Sequence, residues 1–145
     1  MMIYAQVIRD SSQPKGPGRI QLVSEGDQVL GEWSVITGSA NRLDPKEYGG
    51  LTPPITWRMV EAIESRKHPK GHTLSMARIF PVDRESMAVY NKRTFALDDW
   101  PFMVHAAGTS TGCIAVVEWA ACRRKLNEAW IANGGTLEID VVEAE

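Results

Sequence analysis

Long apolar runs are missing from this 145-residue chain. None approaches the roughly 18 residues that suggest a membrane-spanning helix, so no membrane span is expected. A basic stripe is missing too. Sixteen Lys and Arg stand against 18 Asp and Glu, for a net charge of −2. Nucleic acid is therefore not an expected partner. Cysteine is scarce, with only Cys113 and Cys122, and no C-x-x-C occurs. The two do not read as a disulfide framework: if both lay on one helix they would stand about 13 Å apart, too far for a bridge. Histidine is scarce as well. His68 and His72 have a possible ligand spacing, but Pro69 and Gly71 between them oppose the helix that would align both rings. No metal and no other cofactor is expected. The start, Met1-Met2-Ile3-Tyr4-Ala5-Gln6-Val7, has neither a basic n-region nor a long apolar h-region, so it does not read as a secretory signal peptide.

What is present suits one globular domain covering residues 1–145. Hydrophobic content is 43% and charged content 23%, enough for one sizeable core. Residues 3–8 read as a strand, and 11–18 as a loop dense in Pro and Gly. Strands are expected at 18–24 and 28–37, joined by a turn at Glu25-Gly26-Asp27. A long loop follows at 38–54. Ile55, Trp57 and Met59 alternate with polar residues, predicting a strand that continues to about Ile63. Residues 65–72 read as a basic, polar turn leading to a strand at 74–82, the two strands forming a long hairpin. Residues 116–133 fit a helix, with Trp119, Cys122, Leu126 and Trp130 on one face and Arg123, Arg124, Lys125 and Glu128 over much of the rest. Asn133-Gly134-Gly135 is a stop signal. Alternation at 136–142 predicts a closing strand. The fold class is thus mainly β with α, an α+β arrangement with one main helix after Cys113.

The chemistry concentrates in one segment, Phe102-Met103-Val104-His105-Ala106-Ala107-Gly108-Thr109-Ser110-Thr111-Gly112-Cys113-Ile114-Ala115-Val116. An apolar run delivers a histidine, and a cysteine follows after a stretch of small residues. A nucleophilic thiol needs a base or cation nearby, open backbone for an approaching carbonyl, and amides aimed at the developing oxyanion. His105, Gly112 and the backbone around Cys113 could supply all three. The opposing reading is a small buried thiol beside a loop histidine. Asp98-Asp99 could orient His105, although a turn or cap suits that pair better.

That segment resembles the cysteine L,D-transpeptidases of the YkuD-like fold, whose active site reads as an apolar strand, a His, a glycine-containing loop and a Ser/Thr-x-Gly-Cys-Ile/Val ending. The short His-to-Cys spacing is similar to the subgroup that includes antibacterial effectors. Upstream, Val35-Ile36-Thr37-Gly38 and Gly49-Gly50-Leu51-Thr52-Pro53-Pro54 resemble the family's strand end and its G-x-T-P-x-G loop. The resemblance spans roughly residues 3–126 and is specific only between Val104 and Ile114. Three positions depart from it. Ile55 replaces the glycine after Thr-Pro, Thr111 stands where many members carry a second His, and Ala115 stands where they carry an Arg.

The resemblance implies a β-sandwich or barrel and a peptidoglycan L,D-transpeptidase acting on stem peptides through a thioester. Cys113 would be the nucleophile and His105 its base. Gly112 and Thr111 would supply the oxyanion backbone, while Ser110, Tyr48 and Thr52 would line the donor groove. Two alternatives stay open: a peptidoglycan cysteine hydrolase of carboxypeptidase or endopeptidase type, and a catalytically silent wall-binding module. The chain would be made in the cytoplasm and act in the periplasm or cell wall, delivered by a phage, a secretion device or a signal removed from this sequence. An immunity or delivery partner is not specified.

Overall fold

The computed structural model describes residues 2–39, 43–46, 50–67, 71, 73–87, 90, 102–107 and 113–145. Strand makes up 46% of the described residues. In chain order the elements are β1 (Ile3–Arg9), β2 (Gly18–Ser24), β3 (Val29–Ile36), β4 (Thr56–Met59), β5 (Glu64–Lys67), β6 (Thr73–Pro81), the single turn α1 (Arg84–Met87), β7 (Met103–Ala106), β8 (Ile114–Val116), α2 (Trp119–Ala132) and β9 (Leu137–Glu143).

The strands run in the order β4-β9-β1-β2-β3-β8-β7-β6-β5, and β4 also pairs with β6. That second pairing closes eight strands into a barrel and leaves β5 as a flap outside the ring. Closure removes the open edges that a flat sheet of this size would present. Two pairings are parallel, β1 with β9 and β7 with β8; the rest are antiparallel.

Period-2 alternation decides what fills the ring. All eight barrel strands feed one buried cluster, including Ala5 and Val7, Ile20 and Leu22, Trp57 and Met59, Ala77 and Ile79, and Ile139 and Val141. Helix α2 adds Cys122, Leu126 and Ala129 to that cluster, with Trp119 and Trp130 packed against it. Arg123, Arg124, Lys125 and Glu128 are exposed, as the helical periodicity predicts. Trp57 and Phe102 stack at 4.7 Å between centroids, a tilted geometry aromatic rings favour.

Three local expectations are corrected. The strand after Thr56 does not continue to Ile63; it ends at Met59. Asn127 of α2 takes over the backbone of Ile63, accepting from its N–H at 2.7 Å and donating to its carbonyl at 2.9 Å. Glu61 turns back to accept from the Arg78 N–H at 3.0 Å and from its guanidinium at 2.8 Å. The polar segment expected as a turn at 65–72 is partly strand, because Glu64–Lys67 pairs with β6. The expected long hairpin is thus two short strands, β4 and β5, laid along one long β6. Finally, Ile114–Val116 is a strand and the helix starts at Trp119. Those three residues pair on both sides, with β3 and with β7.

The helix stops where expected. Gly134 and Gly135 take φ of +82° and +104°, a region glycine enters without a Cβ penalty. Asn133 then fastens the helix end to β1, accepting from the Ile3 N–H at 2.9 Å and donating to the Ile3 carbonyl at 2.7 Å.

Candidate functional site

The end of β1, the start of β2, the end of β3, the start of β8 and the end of β9 meet at one rim of the barrel. Cys113 lies there, immediately before β8. His105 lies on the parallel neighbour β7, in register with Ala115, while Val104 pairs with Ile114. Extending that register by one step sets Cys113 beside Met103. Strand alternation then puts Met103, His105, Cys113 and Ala115 on one face, because Val104, Ile114 and Val116 occupy the barrel interior. Cys113 and His105 are diagonal neighbours on that outer face. A strand spacing of about 4.8 Å and an axial step of about 6.6 Å separate their Cα positions by about 8 Å.

The face is apolar. Met76, Met103 and Cys113 form a second buried cluster with Leu74 against it. Cys113 is 6% exposed and His105 9%. His105 Nδ1 stands 2.6 Å from the carbonyl oxygen of Ala106. A carbonyl only accepts, so this contact places the ring proton on Nδ1 and leaves the Nε2 lone pair available. Burial pushes the imidazole below its ordinary value of 6.5, and the Ala106 hydrogen bond only partly opposes this. The ring is therefore neutral at pH 7, the form a general base requires.

Neither cysteine is in a disulfide, but their surroundings differ. Cys122 faces the barrel core, 0% exposed. Burial, with a smaller contribution from Glu118, pushes its thiol up to about 12. It is an inert packing residue.

Thr52, expected in the donor groove, is fully buried. Its N–H donates to the Thr37 carbonyl at 2.7 Å. Its hydroxyl lies 3.0 Å from the same oxygen and 3.4 Å from the Cys113 carbonyl. It ties the 38–54 loop to the rim instead of presenting a side chain outward. Gly38 makes this closeness possible, since a Cβ there would sit 2.9 Å from the Leu51 Cα. Gly112, Thr111, Ser110 and Tyr48 fall outside the described residues, as do His68, His72, Asp98 and Asp99. Among the described residues no cluster of three or more His, Cys, Asp or Glu could hold a metal, and no helix is long and apolar enough to cross a membrane.

One residue near the site escaped the sequence reading. Arg9 is 0% exposed. Its Nε donates to Glu143 Oε1 at 2.9 Å, and its Nη1 to Thr37 Oγ1 at 3.2 Å. Its Nη2 is buried with no hydrogen-bond partner among the described residues. Parity was the available signal: Ala5, Val7 and Arg9 share the inward face of β1.

No protein-family model matches the chain, and no curated protein is similar to it.

Proposed function

We propose that this protein is a cysteine-dependent acyltransferase acting on peptidoglycan stem peptides, an L,D-transpeptidase. One observation carries the reading: His105, oriented by its neighbour's carbonyl, shares the outer face of a parallel strand pair with Cys113. The resemblance of residues 104–114 to the YkuD-like enzymes supplies the substrate class.

In this reading His105 Nε2 takes the Sγ proton as the thiolate attacks a peptide carbonyl carbon. Backbone amides around Gly112 and Cys113 stabilise the oxyanion; one such donor is typically worth about 3 kcal/mol. The C–N bond then breaks. The amine departs with the proton returned by His105, leaving a thioester on Cys113. A second amine attacks the thioester to complete cross-linking or exchange, and water in its place gives hydrolysis. Met76, Met103 and Leu74 pack around the thiol and shield it from bulk water.

The test is incubation with purified muropeptides, with and without an amine acceptor, and product identification by mass. Cross-linked or amine-exchanged products that appear only with wild-type protein and acceptor support the transpeptidase. Shortened peptides alone would move the assignment to a hydrolase. No product under either condition would overturn the enzymatic reading.

A further inference from the structure

We infer that Arg9, Thr37 and Thr52 form a buried hydrogen-bonded brace that positions Cys113, with Thr52 as its last link and a positioning residue for the reaction. The inference rests on the reading of Cys113 as nucleophile.

The polarity of the brace follows from what each group can do. A guanidinium only donates. Thr37 Oγ1 therefore accepts from Arg9 Nη1 and spends its own proton on the Gly16 carbonyl, 2.9 Å away. Gly16 can offer that carbonyl because it takes a φ of +52°. Thr37 is also held through its main chain, donating its N–H to the Lys15 carbonyl at 2.9 Å. Side chain and backbone are thus both fixed, and the Thr37 carbonyl points at Thr52. Thr52 answers with two donors, its N–H at 2.7 Å and its hydroxyl at 3.0 Å. The same hydroxyl reaches the Cys113 carbonyl at 3.4 Å, a long contact at which its single proton is shared.

The strand register supplies a second route to the same place. Val35 pairs with Val116 and Ile36 with Ala115, so the next step sets Thr37 beside Ile114. Arg9 thereby fixes the strand end that flanks the nucleophile on one side, and Thr52 touches the nucleophile's own carbonyl. A buried cation is an expensive way to fill the barrel mouth, because its desolvation is only partly offset by a half-exposed Glu143. Its use of a directional fork at the rim carrying Cys113 is what an apolar side chain could not reproduce.

The experiment compares wild type, Thr52→Val, Thr52→Ser and Thr37→Val. Turnover is measured on muropeptides, and iodoacetamide labelling of each cysteine is followed by mass across pH. Cys122 acts as an internal gauge of opening, since it is buried in the core. For Thr52→Val the expected result is a kcat lower by about tenfold, on the scale of one lost buried hydrogen bond. KM should stay within about twofold on the same reasoning. The labelling-against-pH curve of Cys113 should move toward that of His105→Ala, with Cys122 still protected. Thr52→Ser should restore wild-type behaviour, and Thr37→Val should reproduce the defect. Unchanged kcat and Cys113 labelling in Thr52→Val would overturn the brace. So would loss of protection at both thiols together, which would mean general loosening. If Thr52→Val does not fold, Thr37→Val decides by the same two readouts. A wild type without turnover, whose Cys113 labelling still responds to Thr52 as described, would refute the enzyme while leaving the brace standing.

Discussion

Ala115 is the register partner of His105 on the parallel strand β8. On the other side of His105, Met76 of β6 is its register partner. Both neighbours are buried, at 0% and 2% exposure. The imidazole is therefore flanked by apolar groups along the sheet, and this is the physical origin of its depressed basicity.

Stability should fall as the pH is lowered through the region below 6.5. The folded-state value of His105 lies below its ordinary value of 6.5, so the unfolded chain binds the proton first. Between the two values the unfolded state holds more protons, and unfolding free energy rises with pH. The penalty is absent above 6.5 and grows until the folded imidazole titrates. Urea unfolding of wild type and His105→Gln at several pH values from 7.5 to about 5 would check this. The variant should lose that part of the slope. An identical slope in both proteins would contradict it.

The two thiols should behave as opposites. Cys113→Ala should abolish turnover while keeping a cooperative melt. Cys122→Ala should stay active and lose about 1 kcal/mol of stability through the small cavity left in the core. In the folded wild type, iodoacetamide should label Cys113 ahead of Cys122, whose thiol is pushed up to about 12 by burial and Glu118. Peptide mapping after timed quenching reads this directly, and preferential labelling of Cys122 would refute the assignment.

Glu143→Leu should destabilise more than Arg9→Met. Removing the carboxylate strands a fully buried guanidinium, a change that costs about 3 kcal/mol or more. Removing the guanidinium leaves a carboxylate that is 41% exposed and can be solvated. Denaturant midpoints of the two variants at pH 7 test the order. The reverse order would mean that the arginine is held mainly by packing.

Asn127→Ala should cost about 2 kcal/mol, because both backbone groups of Ile63 lose their partner in a part-buried setting. Asn127→Asp should recover little, since a carboxylate accepts from the N–H but cannot donate to the carbonyl. Hydrogen exchange at the Ile63 amide should accelerate in Asn127→Ala and much less in Asn127→Asp, which keeps an acceptor for that N–H. Unchanged protection there would show that the kink is held by Glu61 and Arg78 instead.

Much of the fold was legible because alternation is a local property. β1, β2, β3 and β9 fall within a residue or two of the expected strands, and the face of α2 is the expected one. The misreadings share a cause: their structure depends on residues far away in sequence. Nothing near Val60 announces that Asn127 will capture Ile63 or that Glu61 will fold back on Arg78. Ile114–Val116 is apolar whether it begins a helix or fills a strand, and only its pairing with β3 and β7 decides. At the candidate site, His105 and Cys113 were visible as a motif, and the structure sets them on one face. Thr52 looked like a groove residue because it is polar and lies in a loop, yet its hydroxyl is turned inward to Thr37. Tyr48, expected beside it, lies outside the described residues.

The pairing of β1 with β9 has a consequence for biosynthesis. Of the eight barrel strands β9 is made last, and it inserts between β1 and β4. Until residues 137–143 leave the ribosome, the ring is an open sheet with two bare edges, one on each of those strands. The long-range contact that seals it is a late event with a large loop to close. A nascent or prematurely terminated chain is therefore exposed to edge-to-edge association. The rim that carries Cys113 is completed only when β9 seals the ring, so the surroundings of that thiol are assembled after every other strand of the barrel has been made.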